Sequence, residues 1–471
     1  MTTQQIGSSF DRLTHGWHAV LLIYGIIAVC SLAGLKRGGA RLEQYLLWPL
    51  TSLATTVVAF IVLAVLGELA GHLGFKPPTA IETIIGFAAW MLAGVGGGLY
   101  WATRARAFKP AHARGAVVFD GAWVQKETRR FIKSAAGEGV LTLAGVAVNA
   151  QDETKHFKFM GTTGSGKSTA LRELLHGALQ RGDRAVIADP DGTYLSQFYS
   201  PRRGDVILNP FDRRSPKWDL FAELQQPYDI DQLARALIPD RGNADPTWTS
   251  YARTFFGAIV RQARALQVKD LGELYRILTV AERQELKLLT QSTAAAPFLE
   301  EGNDRFFGSV RSATTENTKS LEYICQQHDP PFPVRQWIRR GKGVLFLPYQ
   351  ADQIVALKSI ISTWMRLAIF QTLSLGEGDW RLWFAVDELD ALGPIDGLAD
   401  ALPRLRKFGG RCALGFQSIS QVSNTYGQGL AQAMVENCGT SLILRCSASE
   451  HGDNSQFASK LIGDRQIVRM S

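Results

Sequence analysis

The chain has 471 residues, 46% hydrophobic and 20% charged, which excludes a disordered tail or a collagen-like repeat and leaves room for about three domains. Its five cysteines contain no CxxC pair, so a disulfide scaffold and a zinc ribbon are excluded as well. The net charge of +8 falls almost wholly after residue 101: five basic and four acidic side chains precede that point, and 46 and 39 follow it. Such a balance suits a polyanionic partner, or the basic flanks of a membrane anchor.

Three uncharged apolar runs occupy the first hundred residues, 17–35, 46–66 and 83–103. Each approaches the length that crosses ~30 Å of hydrocarbon at ~1.5 Å per residue. Residues 1–106 are therefore expected to form a transmembrane helical module of two or three spans. A cleaved signal peptide is the alternative for the first run; no charged segment leads closely into it and no small-x-small site precedes a mature domain. Lys36, Arg37 and Arg41 follow the first run and Arg104, Arg106 and Lys109 follow the last, whereas the loop between the last two holds only Lys76. The positive-inside rule then puts 36–43 and everything after 104 in the cytoplasm. The glycines of AGVGGGLY in the last run would permit close helix packing, or are simply tolerated there.

Beyond Arg106 short apolar runs alternate with helical periods, the pattern of an α/β fold. Between about 221 and 337 the spacing becomes helical, as in YARTFFGAIVRQARAL, and β-branched runs are few. The expected organisation is a nucleotide-binding domain from 107–220 and 338–471, interrupted by an all-α insertion at 221–337.

HFKFM ends at Met160 and runs into Gly161-Thr162-Thr163-Gly164-Ser165-Gly166-Lys167-Ser168-Thr169, after which TALRELLHGALQ reads as a helix. This is GxxxxGK[ST] with strand before and helix after. Backbone N–H groups of such a loop and the helix N-terminus wrap phosphates. Lys167 would reach the β- and γ-phosphates, and Ser168 would ligate Mg2+.

LWFAV followed by Asp387-Glu388 has the form of the acidic partner motif, an apolar strand ending in two carboxylates. Asp387 would hold Mg2+ through water, and Glu388 would orient or deprotonate the attacking water. An ordinary acidic strand end is the plain alternative. Gln417 ends the run 412–416, where it would either sense the γ-phosphate or cap a helix. Arg404, Arg406, Lys407 and Arg411 cluster before that run as a trans-acting arginine, a DNA-facing set or a solvated helix face.

These segments, KHFKFMGTTGSGKST, ADPDGTYLSQFYSPRRGDVILNPFDRRSPKWDL and AVDELDALGPIDGLADALPRLRKFGGRCALGFQS, together resemble the conjugative coupling proteins of the TraD/TrwB type, inner-membrane ATPases of type IV secretion systems. The resemblance covers most of the chain. It implies membrane spans first, a RecA-like P-loop NTPase domain and a helical insertion. It also implies a homo-hexameric ring at the bacterial inner membrane, with the ATPase domain cytoplasmic. Such a ring uses ATP and Mg2+ to pass single-stranded DNA from a relaxase–DNA complex toward the secretion channel. Relaxosome proteins, other secretion components and single- and double-stranded DNA are the implied partners.

By motif, 161–169 is then the nucleotide loop, Asp387 and Glu388 the metal and water pair, Arg406 the arginine acting in trans and Gln417 the glutamine beyond the acidic strand. Asp189 and Asp191 are either near the γ-phosphate or turn formers, DPDG being good turn chemistry. The family more often shows two spans than three, and usually continues beyond GDRQIVRMS, often to an acidic tail. Two other functions fit the same motifs. One is a membrane-anchored DNA translocase of the FtsK kind, which usually adds a long linker and a winged-helix domain that this sequence lacks. The other is a membrane receptor for relaxosome proteins that keeps the fold without hydrolysis.

Overall fold

A computed structural model describes residues 24–38, 40, 45–58, 61, 79–107, 111–117, 119, 121–134, 139–240, 246–328, 330–445, 453–463 and 465–468. They belong to two units, Met1–Val117 with Gly463–Ser471, and Val118–Ile462.

In the first unit the described residues form helices over 24–38 and 45–58 and the 29-residue helix Thr79–Ala107. Of the expected spans, residues 17–23, 59–60 and 62–66 lie outside the described set. The unit is apolar outward. Leu46 is 76% exposed and Leu92 73%, while Ser31 and Ser52 are buried. Trp48 Nε1 donates to the Ala28 carbonyl and to Ser31 Oγ, so polar groups pair inside. The helices meet on glycine. A Cβ at Gly98 would lie 2.2 Å from the Ser31 carbonyl oxygen, and one at Gly94 would lie 2.6 Å from Cys30 Cβ. Of the two readings of AGVGGGLY, close packing is the one the helix contacts bear out for Gly94 and Gly98. Ala111–Gly115 pairs antiparallel with Arg465–Val468 in the same unit.

The second unit is built on a seven-stranded parallel sheet. Its strands are β1 (Phe157–Met160), β2 (Arg184–Pro190), β3 (Val206–Ile207), β4 (Val344–Tyr349), β5 (Leu382–Val386), β6 (Gly410–Phe416) and β7 (Thr440–Ile443), in the spatial order β7-β1-β6-β5-β2-β4-β3. β1, β4, β5 and β6 are buried along their whole length, which explains their unbroken apolar runs: a parallel sheet is covered on both faces.

The two faces carry different cores. On one, Phe157, Phe159, Trp383 and Ala385 pack against Leu171, Leu174 and Leu175 of the helix Lys167–Gln180. On the other, Leu382, Phe384 and Val386 join a core shared with Ile354–Thr372 and with the helices between Asp229 and Cys325. Between Trp218 and Pro331 every regular element is helical among the described residues.

Ile354–Thr372 is, among the described residues, the helix long and apolar enough to cross a membrane by length and composition, but 67% of its most apolar window is buried inside the protein. It is a core helix of the sheet's second face.

The helical segment enters and leaves through one neck. Lys217–Trp218 pairs with Pro331–Phe332. Glu223, 1% exposed, accepts hydrogen bonds from Trp218 Nε1 (3.0 Å) and from the Val334 (2.6 Å) and Arg335 (3.1 Å) backbone N–H groups. Burial pushes its carboxyl up to about 7, against the pull of these donors and the Arg335 guanidinium.

Candidate active site

The loop after β1 is shaped by its glycines. Gly164 and Gly166 take φ values of +74° and +100°, a backbone that favours glycine. A Cβ on Gly161 would meet Ser165 Oγ at 2.5 Å and Leu444 Cβ at 2.9 Å. Thr162 N–H donates to the Arg445 carbonyl (3.0 Å), which ties the loop to the end of β7. Lys167 opens the helix Lys167–Gln180, with Ser168 and Thr169 in its first turn; Thr163 and Thr169 are exposed and Ser168 is half-buried.

β6 separates β1 from β5, so the acid pair lies two strands from the glycine loop, at the same carboxyl-terminal end of the sheet. Lys167 Nζ lies 3.8 Å from Asp387 Oδ1, with both side chains buried. Loop and acid, 220 residues apart in sequence, therefore form one site. Asp387 Oδ2 accepts a hydrogen bond from Tyr194 OH at 3.0 Å. Asp387 Oδ1 and Ser165 Oγ are buried with no hydrogen-bond partner among the described residues. A lysine, a glycine cradle, a hydroxyl beside it and an orphaned carboxylate oxygen fit a magnesium-bound triphosphate.

Both acids lie just beyond the last residue of β5, Val386. Trp383 and Ala385 face the core of Lys167–Gln180, and Asp387 continues that face to meet Tyr194. Glu388 follows it and is half-buried. Its carboxyl is pushed up by burial, with the Lys167 charge opposing and Asp387 adding to the rise. The approach of β5 to β6 depends on Gly415, where a Cβ would stand 2.3 Å from the Asp387 carbonyl oxygen. Leu389 N–H donates to the Gly415 carbonyl at 2.9 Å, which fixes the backbone just beyond the acids.

Gln417 follows β6, the strand between the loop and the acids, and is half-buried there. Arg406 is elsewhere. It is exposed in the turn Arg406–Phe408 before β6, at the sheet end opposite the glycine loop, near His156 at the start of β1. The chain therefore does not bring Arg406 to its own Lys167.

Arg411 leaves the group of exposed candidates. It is 3% exposed, paired with Glu153 at 3.0 Å and Asp379 at 2.8 Å, and belongs to a buried ionic network. Asp189 is a capping residue: its carboxylate accepts from Tyr194 N–H (3.0 Å) and Leu195 N–H (2.6 Å) at the start of the helix Thr193–Phe198. Burial still pushes it up to about 6 against those bonds. Asp191 and Gly192, both with positive φ, make the turn.

Sequence reasoning missed Tyr194. It lies inside the quoted DPDGTYLS stretch, but nothing local connects it to an acid 193 residues away.

Glycine loop, helix, acid pair and the strand inserted between them define a P-loop nucleotide-binding protein of the RecA-like parallel-sheet kind. The family model described as the type IV secretion-system coupling protein DNA-binding domain matches residues 140–471, and the chain belongs to that family. It is 31% identical over 354 residues to the coupling protein TraD of Escherichia coli, covering 74% of this chain and 49% of TraD. It is 26% identical over 188 residues to the type IV secretion system-coupling protein VirD4 of Bartonella henselae, covering 36% of this chain and 28% of VirD4. The chain thus spans half or less of the curated relatives it matches. Among solved structures, the plasmid coupling protein TrwB in complex with ADP and Mg2+ superposes with a TM-score of 0.69 at 31% identity, over 77% of this chain and 85% of that one. TrwB with the ATP analogue ADPNP gives the same TM-score and identity over 77% and 86%.

Proposed function

We propose that this chain is an inner-membrane ATPase that couples a relaxase–DNA complex to a type IV secretion channel and drives single-stranded DNA transfer during conjugation. The observation that carries the reading is the meeting of Lys167 and Asp387, 3.8 Å apart, at the mouth of a glycine loop in a coupling-protein fold. TrwB, similar over most of its length, is known with ADP and Mg2+ and with an ATP analogue, which supports the same ligands here.

Residues 161–169 hold the phosphates through backbone N–H groups, and Lys167 contacts the β- and γ-phosphates. Bound Mg2+, held by Ser168 and through water by Asp387, would supply charge stabilisation to the leaving and transferred phosphates. Tyr194 keeps Asp387 turned toward Lys167. Glu388 takes a proton from the attacking water, and its raised affinity for protons suits a base of this kind. Gln417 senses the γ-phosphate from the intervening strand.

Arg406 belongs to a neighbour's site. Its place at the opposite end of the sheet is what supports an arginine acting in trans, and with it a ring, which the family likeness extends to six subunits. Residues 1–106 form the membrane module. Its outward-facing leucines and inward-facing serines and glycines are the pattern of helices packed in lipid. Residues 221–337 form the all-α insertion, which receives DNA or relaxosome proteins.

The test is ATP hydrolysis by the full chain in detergent with and without single-stranded DNA, at several salt concentrations. Stimulation that weakens steeply with salt is expected. No basal rate and no stimulation would instead favour a receptor that does not hydrolyse ATP.

A further inference from the structure

The helix Gly121–Ser134 is the first regular element of the second unit among the described residues. It begins fourteen positions after Ala107, where the helix Thr79–Ala107 ends, so the longest tether between them is about 50 Å of extended chain. Four basic side chains and one acidic one lie in it. Lys126, Arg129, Arg130 and Lys133 fall at i, i+3, i+4 and i+7, which is one stripe along a helix. All four are exposed. Arg130 meets Glu127 at 4.0 Å, and the other three have no acidic partner among the described residues.

The other side of the helix is taken. Thr128 is buried, and its hydroxyl accepts Ala147 N–H at 3.2 Å from the hairpin formed by Thr142–Leu143 and Val146–Ala147. That hairpin is itself anchored: Leu143 lies in the core with Leu171, Leu174 and Leu175, and Gly145 N–H donates to Glu173 at 3.0 Å. The basic stripe therefore points outward from a helix whose rotation is fixed.

Apolar side chains edge the stripe. Trp123 precedes Lys126 by three positions and Arg130 by seven, and Ile132 follows Arg129 by three. They are 46% and 43% exposed. Phe119, 53% exposed, stacks on Trp123 with ring centroids 4.1 Å apart. One such side chain in water is ordinary, but a set of them bordering a row of cations is the pattern of a helix lying in a headgroup layer. There the cations meet lipid phosphates and the apolar groups enter the acyl boundary. Nucleic-acid phosphates would satisfy the cations equally, but would leave Ile132 in water.

We infer that the outward face of Gly121–Ser134 lies on an anionic lipid surface, with Lys126, Arg129, Arg130 and Lys133 on the phosphate headgroups and Phe119, Trp123 and Ile132 inserted at the edges. This rests on the reading of residues 1–106 as a membrane module. The contact gives the ATPase unit its own hold on the membrane, and one that reads lipid charge. Thr128 and the hairpin tie that hold to the helix that opens with Lys167.

The experiment measures amide hydrogen exchange by mass spectrometry on the full chain in three settings: detergent, phosphatidylcholine nanodiscs, and nanodiscs with phosphatidylglycerol added. Exchange in 121–134 is expected to slow at least about fivefold in the anionic discs alone, the weight of one basic side chain at a charged surface. The slowing should fade at high salt and be absent in Arg129→Glu/Arg130→Glu. That variant should keep wild-type exchange in 142–147 and in Lys167–Gln180, which shows that the unit is folded. Equal exchange in both kinds of disc would overturn the inference, provided 45–58 and 79–107 are protected there. Protection already present in detergent would assign the face to another copy of the chain and overturn it too. So would slowing by added single-stranded DNA in place of lipid. A chain that failed to enter the discs would overturn the membrane-module reading and this inference with it.

Discussion

Gly415→Ala adds one methyl group to the strand between the phosphate loop and the acids. Its Cβ would stand 2.3 Å from the Asp387 carbonyl oxygen, 3.0 Å from its carbonyl carbon and 3.1 Å from its Cα. All three are backbone atoms, so no rotamer relieves the clash. Ordinary contact begins near 3.4 Å, so the two strands must separate by about 1 Å at Asp387. That separation also stretches the 2.9 Å bond from Leu389 N–H to the Gly415 carbonyl. Overpacking of this kind costs about 1–3 kcal/mol, and a misplacement of about 1 Å at a catalytic group costs roughly 100-fold in rate. The assay pairs chemical denaturation, followed by tryptophan fluorescence, with ATP turnover. Gly308→Ala is the control, since a Cβ there meets nothing within 4 Å and the residue lies inside the helix Asp304–Thr318. It should be neutral or stabilising by up to about 1 kcal/mol. Wild-type turnover and stability in Gly415→Ala would refute the dependence of the acid pair on this close approach.

Glu223 titrates at about 7 in the fold against an ordinary 4.5. The folded state then holds the proton more tightly, so its contribution is full below about 4.5 and is lost as pH rises through about 7, ~3 kcal/mol in all. Glu223→Gln should flatten the dependence of stability on pH over that window when denaturation is repeated from pH 5 to 8. Arg411→Met breaks a buried network and should cost about 3–5 kcal/mol. Arg406→Ala should unfold like wild type yet lose turnover, and mixing it with Lys167→Ala protein should restore activity at sites formed between the two. In the membrane module, Gly98→Val should lower the melting temperature in detergent, because its Cβ meets the Ser31 carbonyl oxygen, whereas Gly96→Val should not, because nothing lies within 4 Å.

The parts of the site legible in sequence are those coded by contiguous residues. The strand–loop–helix around Lys167 and the strand ending in Asp387 each carry their own pattern of burial and glycine. Their meeting was an inference from the chemistry, since a spacing of 220 residues says nothing of distance. What stayed illegible is what the sheet order decides. Tyr194 reaches Asp387 only because β2 neighbours β5. Asp189 has turn chemistry and acid chemistry in one residue, and only the N–H groups of Tyr194 and Leu195 choose between them. Arg411 looks like its exposed neighbours Arg404 and Arg406 in a basic run, and is buried because Glu153 and Asp379 come from distant segments to meet it. Gly415 is an ordinary strand glycine until the backbone of Asp387 is laid against it.

The most direct measurement sets nucleotide binding beside turnover in Lys167→Ala and Glu388→Gln, using magnesium ATP and the full chain. Glu388→Gln should bind ATP and fail to hydrolyse it, and Lys167→Ala should fail at both. Hydrolysis by Lys167→Ala at the wild-type rate would contradict a triphosphate held between the glycine loop and Asp387.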